Sequence, residues 1–107
     1  MAEVLTSIED LRSRIDVIDD QLVRLLNVRV ACAVEVGRLK HESGLPIYQP
    51  EREAQVLASV KKSASELAGP LTAEAVVRIF ERVIDEARRA ERATSTREEG
   101  LGPATDE

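Results

Sequence analysis

Arg29, Lys40, Arg52 and Glu91 are the residues of this sequence whose placement needs a chemical reason. Apolar residues recur at Ile8, Leu11, Ile15, Ile18, Leu22 and Leu25, in steps of 3, 4, 3, 4 and 3. That rhythm is a helical seam. Continued, it reaches Arg29, Cys32, Val36 and Leu39, so Arg29 takes a core position. A guanidinium there is costly unless an anion meets it. The anion can be an acidic residue of another helix, or the side chain can snorkel to the surface. A bound ligand is the third possibility, and the neighbours of Arg29 favour it.

Lys40 follows Arg29 by eleven residues, about 20° past three full turns, which puts both cations on one face roughly 16 Å apart along the axis. Ala33 and Gly37 lie between them on that face. Small residues between two long cations leave room for an anion against the helix. Gly37 costs a helix interior roughly 1 kcal/mol relative to Ala, and close approach of a ligand or of another helix accounts for it equally well. Arg52 stands in the first turn of a second helix, where the macrodipole disfavours a cation. An anion held by backbone N–H groups and the guanidinium explains it, as does neutralisation by Glu51 and Glu53. Glu91 extends the apolar stripe Phe80, Ile84, Ala87. It is either a fraying helix end or a pocket carboxyl held protonated and able to donate a hydrogen bond. Arg12 is roughly 25 Å before Arg29 on the same helix and about 100° around it. It reaches the same small ligand only from the other chain of an antiparallel pair.

Three helices must position these groups. Thr6 and Glu9 form a capping-box pattern that opens the first, and no Pro interrupts it before Pro46, so one helix runs to His41 or Glu42. A loop from Ser43 to Gln49 leads to Pro50, which suits the first turn of a second helix capped by Gln49. Leu57, Val60, Ala64 and Leu67 line its face, and Ala68-Gly69-Pro70 ends it with a left-handed glycine cap. Thr72 caps the third, with Val76, Phe80, Val83 or Ile84, and Ala87 on its stripe. From Thr94 the composition predicts a disordered acidic tail, 94–107, after a helical domain over 1–93. The two shorter helices cannot cover the first along its length. Its exposed stripe predicts an intertwined homodimer, with a simple bundle and a frayed end as the alternative.

The chain has 107 residues, one domain's worth, with 43% hydrophobic residues and 33% charged. One Cys excludes a disulfide framework and a Cys-based zinc site. No uninterrupted apolar run is long enough to span a membrane. A formal charge of −5 does not favour nucleic acid as a partner. Met1-Ala2-Glu3-Val4 opens without the basic and apolar regions of a secretory signal, so a cytoplasmic all-α protein is expected. Cys32 reads as a small buried hydrophobe and His41 as a cation favoured at a helix C-terminus. They face opposite sides of one helix and form no dyad.

The sequence resembles the all-helical AroQ class of chorismate mutases from Ile8 to Glu91. The resemblance rests on Leu11-Arg12, on Ile15 through Leu26 with Asp19, and on Arg29-x4-Val34-Glu35-Val36-Gly37-Arg38-x-Lys40. It continues through Pro46-Ile47-Tyr48-Gln49-Pro50-Glu51-Arg52-Glu53 and Ile79-Phe80-Glu81-x-Val83-Ile84. It implies a cofactor-free dimer with two equivalent sites that rearranges chorismate to prephenate. In that family's terms Arg29 and Arg52 bind substrate carboxylates with Arg12 of the other subunit, Lys40 donates to the ether oxygen, and Glu53 holds the ring hydroxyl. Glu91 takes the place of a second ether-oxygen donor. Gln49 stands where an Asp often lies near the hydroxyl, and Ala87 where a Ser can meet a carboxylate. These two departures bear on substrate preference. An isochorismate-pyruvate lyase, a mutase of 4-amino-4-deoxychorismate, and a non-catalytic regulatory dimer are the rival expectations. A pericyclic rearrangement asks for no nucleophile or metal, only restraint of the reactive conformer and donors fixed at the developing charge.

Overall fold

A computed structural model describes residues 1–46 and 48–104, with side chains described through Ser95. Ile47 of the Pro46–Pro50 motif and residues 105–107 of the expected tail lie outside the described residues. The described chain is helical: α1 (Ala2–Ser43), α2 (Pro50–Glu66) and α3 (Ala73–Ala104). Nothing between Met1 and Thr6 breaks a helix, so α1 starts before the expected capping box. Thr6 is therefore inside the helix, its hydroxyl donating to the Ala2 carbonyl at 3.0 Å rather than capping. At the far end Gly44 adopts φ 70° and ψ 19°. Its N–H donates to the His41 carbonyl at 3.3 Å, and the Leu45 N–H to that of Lys40 at 2.9 Å. This left-handed turn is the conformation that glycine accepts without strain.

The Gln49 carbonyl receives the N–H groups of Arg52 and Glu53, at 3.1 and 3.4 Å, to start α2, with Pro50 in the first turn. The other end of α2 differs from expectation. Leu67 is extended, at φ −89° and ψ 123°, and among the described residues Gly44 is the one glycine with positive φ. Gly69 therefore supplies no left-handed cap, and Leu67 leaves the apolar face of Leu57, Val60 and Ala64 for solvent. Thr72 caps α3 as expected, its Oγ1 accepting the Ala75 N–H at 3.1 Å. The helix then passes Thr94, where the sequence reading begins a disordered tail, and runs to Ala104. Thr94 to Glu99 contain neither Gly nor Pro, so nothing local stops it before Gly100.

α1 and α2 each lie against α3 and not against each other. Ala87 on α3, 4% exposed, is the one buried apolar residue among the described residues. The chain measures 68 × 35 × 15 Å, so its thin dimension is little more than one helix, about 10–12 Å. Its radius of gyration is 19.3 Å, against about 13 Å for a compact domain of this length. The α1 seam from Ile8 to Leu25 is 38–65% exposed. Its expected continuation through Cys32, Val36 and Leu39 is exposed as well. α1 turns Val30, Ala33, Val34 and Gly37 to α3 instead, roughly 140° around the axis from that continuation. Cys32 is accordingly an exposed thiol and not the buried hydrophobe expected. Among the described residues no helix is long and apolar enough to cross a membrane.

Candidate active site

The C-terminal half of α1, the start of α2 and the later turns of α3 enclose a cleft of about 760 Å³. Arg29 and Lys40 enter it from α1, Gln49, Arg52 and Glu53 from the α2 start, and Ala87 and Glu91 from α3. Seven of the eight site residues expected from the sequence thus meet in one place. Arg12 does not line the cleft. It lies on the exposed first half of α1, as its separation from Arg29 requires.

Each local fold explains its side chain. Arg29 is half-buried with its Cζ 6.0 Å from the centroid of the Phe80 ring, a cation–π placement that accommodates a guanidinium on an apolar seam without an acid. Lys40, in the last turn of α1, is half-buried too. Among the described residues neither of them, nor Arg52, has a carboxylate within ion-pair distance. Glu51 and Glu53 therefore do not neutralise Arg52. Three cations thus converge on a cleft without being tied up in ion pairs among the described residues, which is the electrostatic preparation for a dianion.

Glu91 supplies the contrasting group. α3 continues well beyond it, so it is not a fraying end. A Cβ built on Gly37 would lie 3.6 Å from Glu91 Oε2 and 3.7 Å from its Cδ. The Glu91 carboxyl thus packs beside Gly37 of α1, at a distance where an added methyl would make ordinary contact. Burial pushes the Glu91 pKa above the usual carboxylate range, against the opposing pull of Lys40, Arg88 and Arg92. A carboxyl so placed carries a proton to higher pH and donates it in a hydrogen bond.

Arg88 is the cleft residue that sequence reasoning passed over. Its guanidinium forms an ion pair with Glu53 across the α2–α3 junction. It also lies 5.7 Å from the centroid of the Tyr48 ring, and its Nη1 is 3.4 Å from Asp85 Oδ1. The available signal was angular: Arg88 is only about 60° around α3 from Glu91. Arg38 also borders the cleft but bonds to Glu35 and Glu42 on its own helix. Arg92, Thr94 and Ser95 extend the lining toward the end of α3.

The same arrangement has relatives. A family model described as chorismate mutase type II matches residues 11–92. The chain belongs to the type II chorismate mutase family. The bifunctional chorismate mutase/prephenate dehydratase of Aquifex aeolicus is 35% identical over 81 residues, covering 75% of this chain and 22% of that protein. The T-protein of Haemophilus influenzae is 36% identical over 83 residues, covering 78% and 22%. The chain thus spans about a fifth of the length of these curated relatives. Among solved structures, form II of the chorismate mutase from Thermus thermophilus aligns with a TM-score of 0.72 at 33% identity. That alignment covers 79% of this chain and 93% of the other. The chorismate mutase match contains every charged group of the cleft discussed above, and it ends just before Thr94 and Ser95.

Proposed function

We propose that the protein is an isomerase that rearranges chorismate to prephenate within an aromatic amino acid pathway in the cytoplasm. The observation that carries this reading is the convergence of Arg29, Lys40 and Arg52, none with a carboxylate in ion-pair distance among the described residues, around a half-buried Glu91 whose pKa burial raises. Arg29 and Arg52 grip the two carboxylates of the substrate, and Glu53 accepts the ring hydroxyl. Clamping both ends holds the flexible side chain over the ring, in the folded conformer from which the new C–C bond can form. As the C–O bond breaks, negative charge grows on the ether oxygen. Lys40 Nζ and the Glu91 carboxyl donate to that oxygen, and each such donor contributes on the order of 10²–10³ in rate. The electrons move within one molecule, so the site works by geometry and field.

Two copies of the chain complete the site. The single chain is one helix thick with the α1 seam bare, and a stable pair must bury roughly 1,200–2,000 Å². Pairing the α1 helices antiparallel covers Ile8 to Leu25 and carries Arg12 of each subunit to the partner's cleft as a further carboxylate ligand. Gln49 at the hydroxyl end of the cleft favours one second reading, a mutase of the 4-amino analogue, because an amide can accept from an ammonium group as well as from a hydroxyl. Purified protein incubated separately with chorismate, isochorismate and 4-amino-4-deoxychorismate, followed by product identification, distinguishes these. Prephenate from chorismate is expected. Untouched chorismate at neutral and mildly acidic pH refutes the assignment, and pyruvate from isochorismate replaces it with a lyase.

A further inference from the structure

Glu53 has been given the ring hydroxyl, yet a carboxylate in a cleft built for a dicarboxylate repels its own ligand. The structure answers this with a residue outside the expected set. Arg88 Nη2 pairs with Glu53 Oε1, and both side chains are about two-thirds buried, at 35% and 28% exposed. The guanidinium faces the Tyr48 ring, 5.7 Å from its centroid, and Asp85 braces it from its own helix at 3.4 Å. Three elements are therefore fastened at one point: α3, the first turn of α2 and the loop before it. Among the described residues Glu53 Oε2 has no hydrogen-bond partner.

Resting on the function proposed above, we infer that Arg88 is a positioning residue for the substrate's ring hydroxyl. It fixes Glu53 Oε1 so that Oε2 is presented to that hydroxyl, and its charge cancels the repulsion between Glu53 and the substrate carboxylates. Arg88 acts through Glu53 and does not touch the reacting bonds. The fork geometry matters: the planar guanidinium can hold Glu53 and Asp85 on different nitrogens while facing the Tyr48 ring, which a lysine ammonium does less well.

The hydroxyl takes no part in the bonds made and broken, so its hydrogen bond is as strong in the bound substrate as in the transition state. Losing such uniform binding raises KM and leaves kcat nearly unchanged. The test is a double-mutant cycle in chorismate turnover with Arg88→Met, Arg88→Lys and Glu53→Gln, each checked by circular dichroism. Arg88→Met is expected to raise KM about tenfold with kcat within about threefold of the wild type, and Arg88→Lys to restore part of the loss. In the Glu53→Gln background the Arg88→Met change shifts KM less than about twofold, because the residue it positions is already altered. An equal KM penalty in both backgrounds, or lowered thermal stability with unchanged KM, overturns the inference. Should Arg88→Met lose its helical signal, Arg88→Lys decides. A KM raised about threefold only when Glu53 is present supports the role, and a wild-type KM refutes it. A wild type without chorismate turnover removes the functional reading and this role together, whereas an active wild type with indifferent Arg88 variants removes this role alone.

Discussion

Replacing Glu91 by Gln isolates a cleft donor whose function depends on its carrying a proton. Burial raises its pKa, and Lys40, Arg88 and Arg92 limit the rise. The folded-state value lies above the ordinary one, so the protonated donor is fully present at pH values below the ordinary carboxylate range. It is lost as pH rises through the folded-state value. Once pH exceeds that value, the protonated fraction falls tenfold per unit, and kcat/KM for the wild type follows with a slope approaching −1. Glutamine offers its N–H at every pH, and its profile should stay flat across the same interval. The two enzymes are therefore expected to diverge by about tenfold for each pH unit on the alkaline side. Initial rates of chorismate consumption, followed from mildly acidic to alkaline pH, provide the measurement. The same linkage makes the fold slightly more stable at the acidic end, since the folded state holds the proton more tightly than the unfolded chain. Parallel profiles for the two proteins would show that Glu91 does not donate in the rate-determining step.

Four further outcomes are expected. Lys40→Ala should lower kcat by on the order of 10²–10³ while circular dichroism keeps the native helical signal, because among the described residues Lys40 forms no ion pair that its loss would break. Gly37→Ala should stabilise the fold by about 1 kcal/mol in thermal or urea unfolding. The added Cβ meets Glu91 only at ordinary contact distance, and a loss of stability would show that α1 and α3 need the glycine to approach. Leu22→Asp in the bare α1 seam should shift sedimentation from dimer to monomer and abolish turnover; a variant that remains dimeric refutes the antiparallel pairing. Arg12→Ala and Arg29→Ala, each nearly inactive alone, should regain about a quarter of wild-type sites when mixed and allowed to exchange subunits, since one site in each mixed dimer is intact. No recovery on mixing places Arg12 outside the partner's cleft.

Much of this protein was legible without its coordinates, because a helix converts sequence spacing directly into angle and distance. The separation of Arg29 from Lys40 fixes their common face, Pro50 and Thr72 mark helix starts, and the Arg29-to-Leu39 rhythm exposes a cation where an apolar residue belongs. The same arithmetic shows that Arg12 and Arg29 cannot share a ligand within one chain. What periodicity does not determine is which side of a helix meets which neighbour. The α1 seam reads as continuous to Leu39, yet contact with α3 rotates to Val30, Ala33, Val34 and Gly37, so Cys32 emerges into the cleft. Helix ends are set by small competing terms, which is why α1 starts early, α2 stops at Glu66 and α3 continues past Thr94. The partners of the charged groups were decided only by tertiary structure. Arg29 has an aromatic ring under it and, among the described residues, no acid in ion-pair distance, Glu53 is engaged by Arg88 from another helix, and Glu91 packs beside a glycine. Those pairings join residues dozens of positions apart, and their energies depend on distance and burial, which local spacing does not encode.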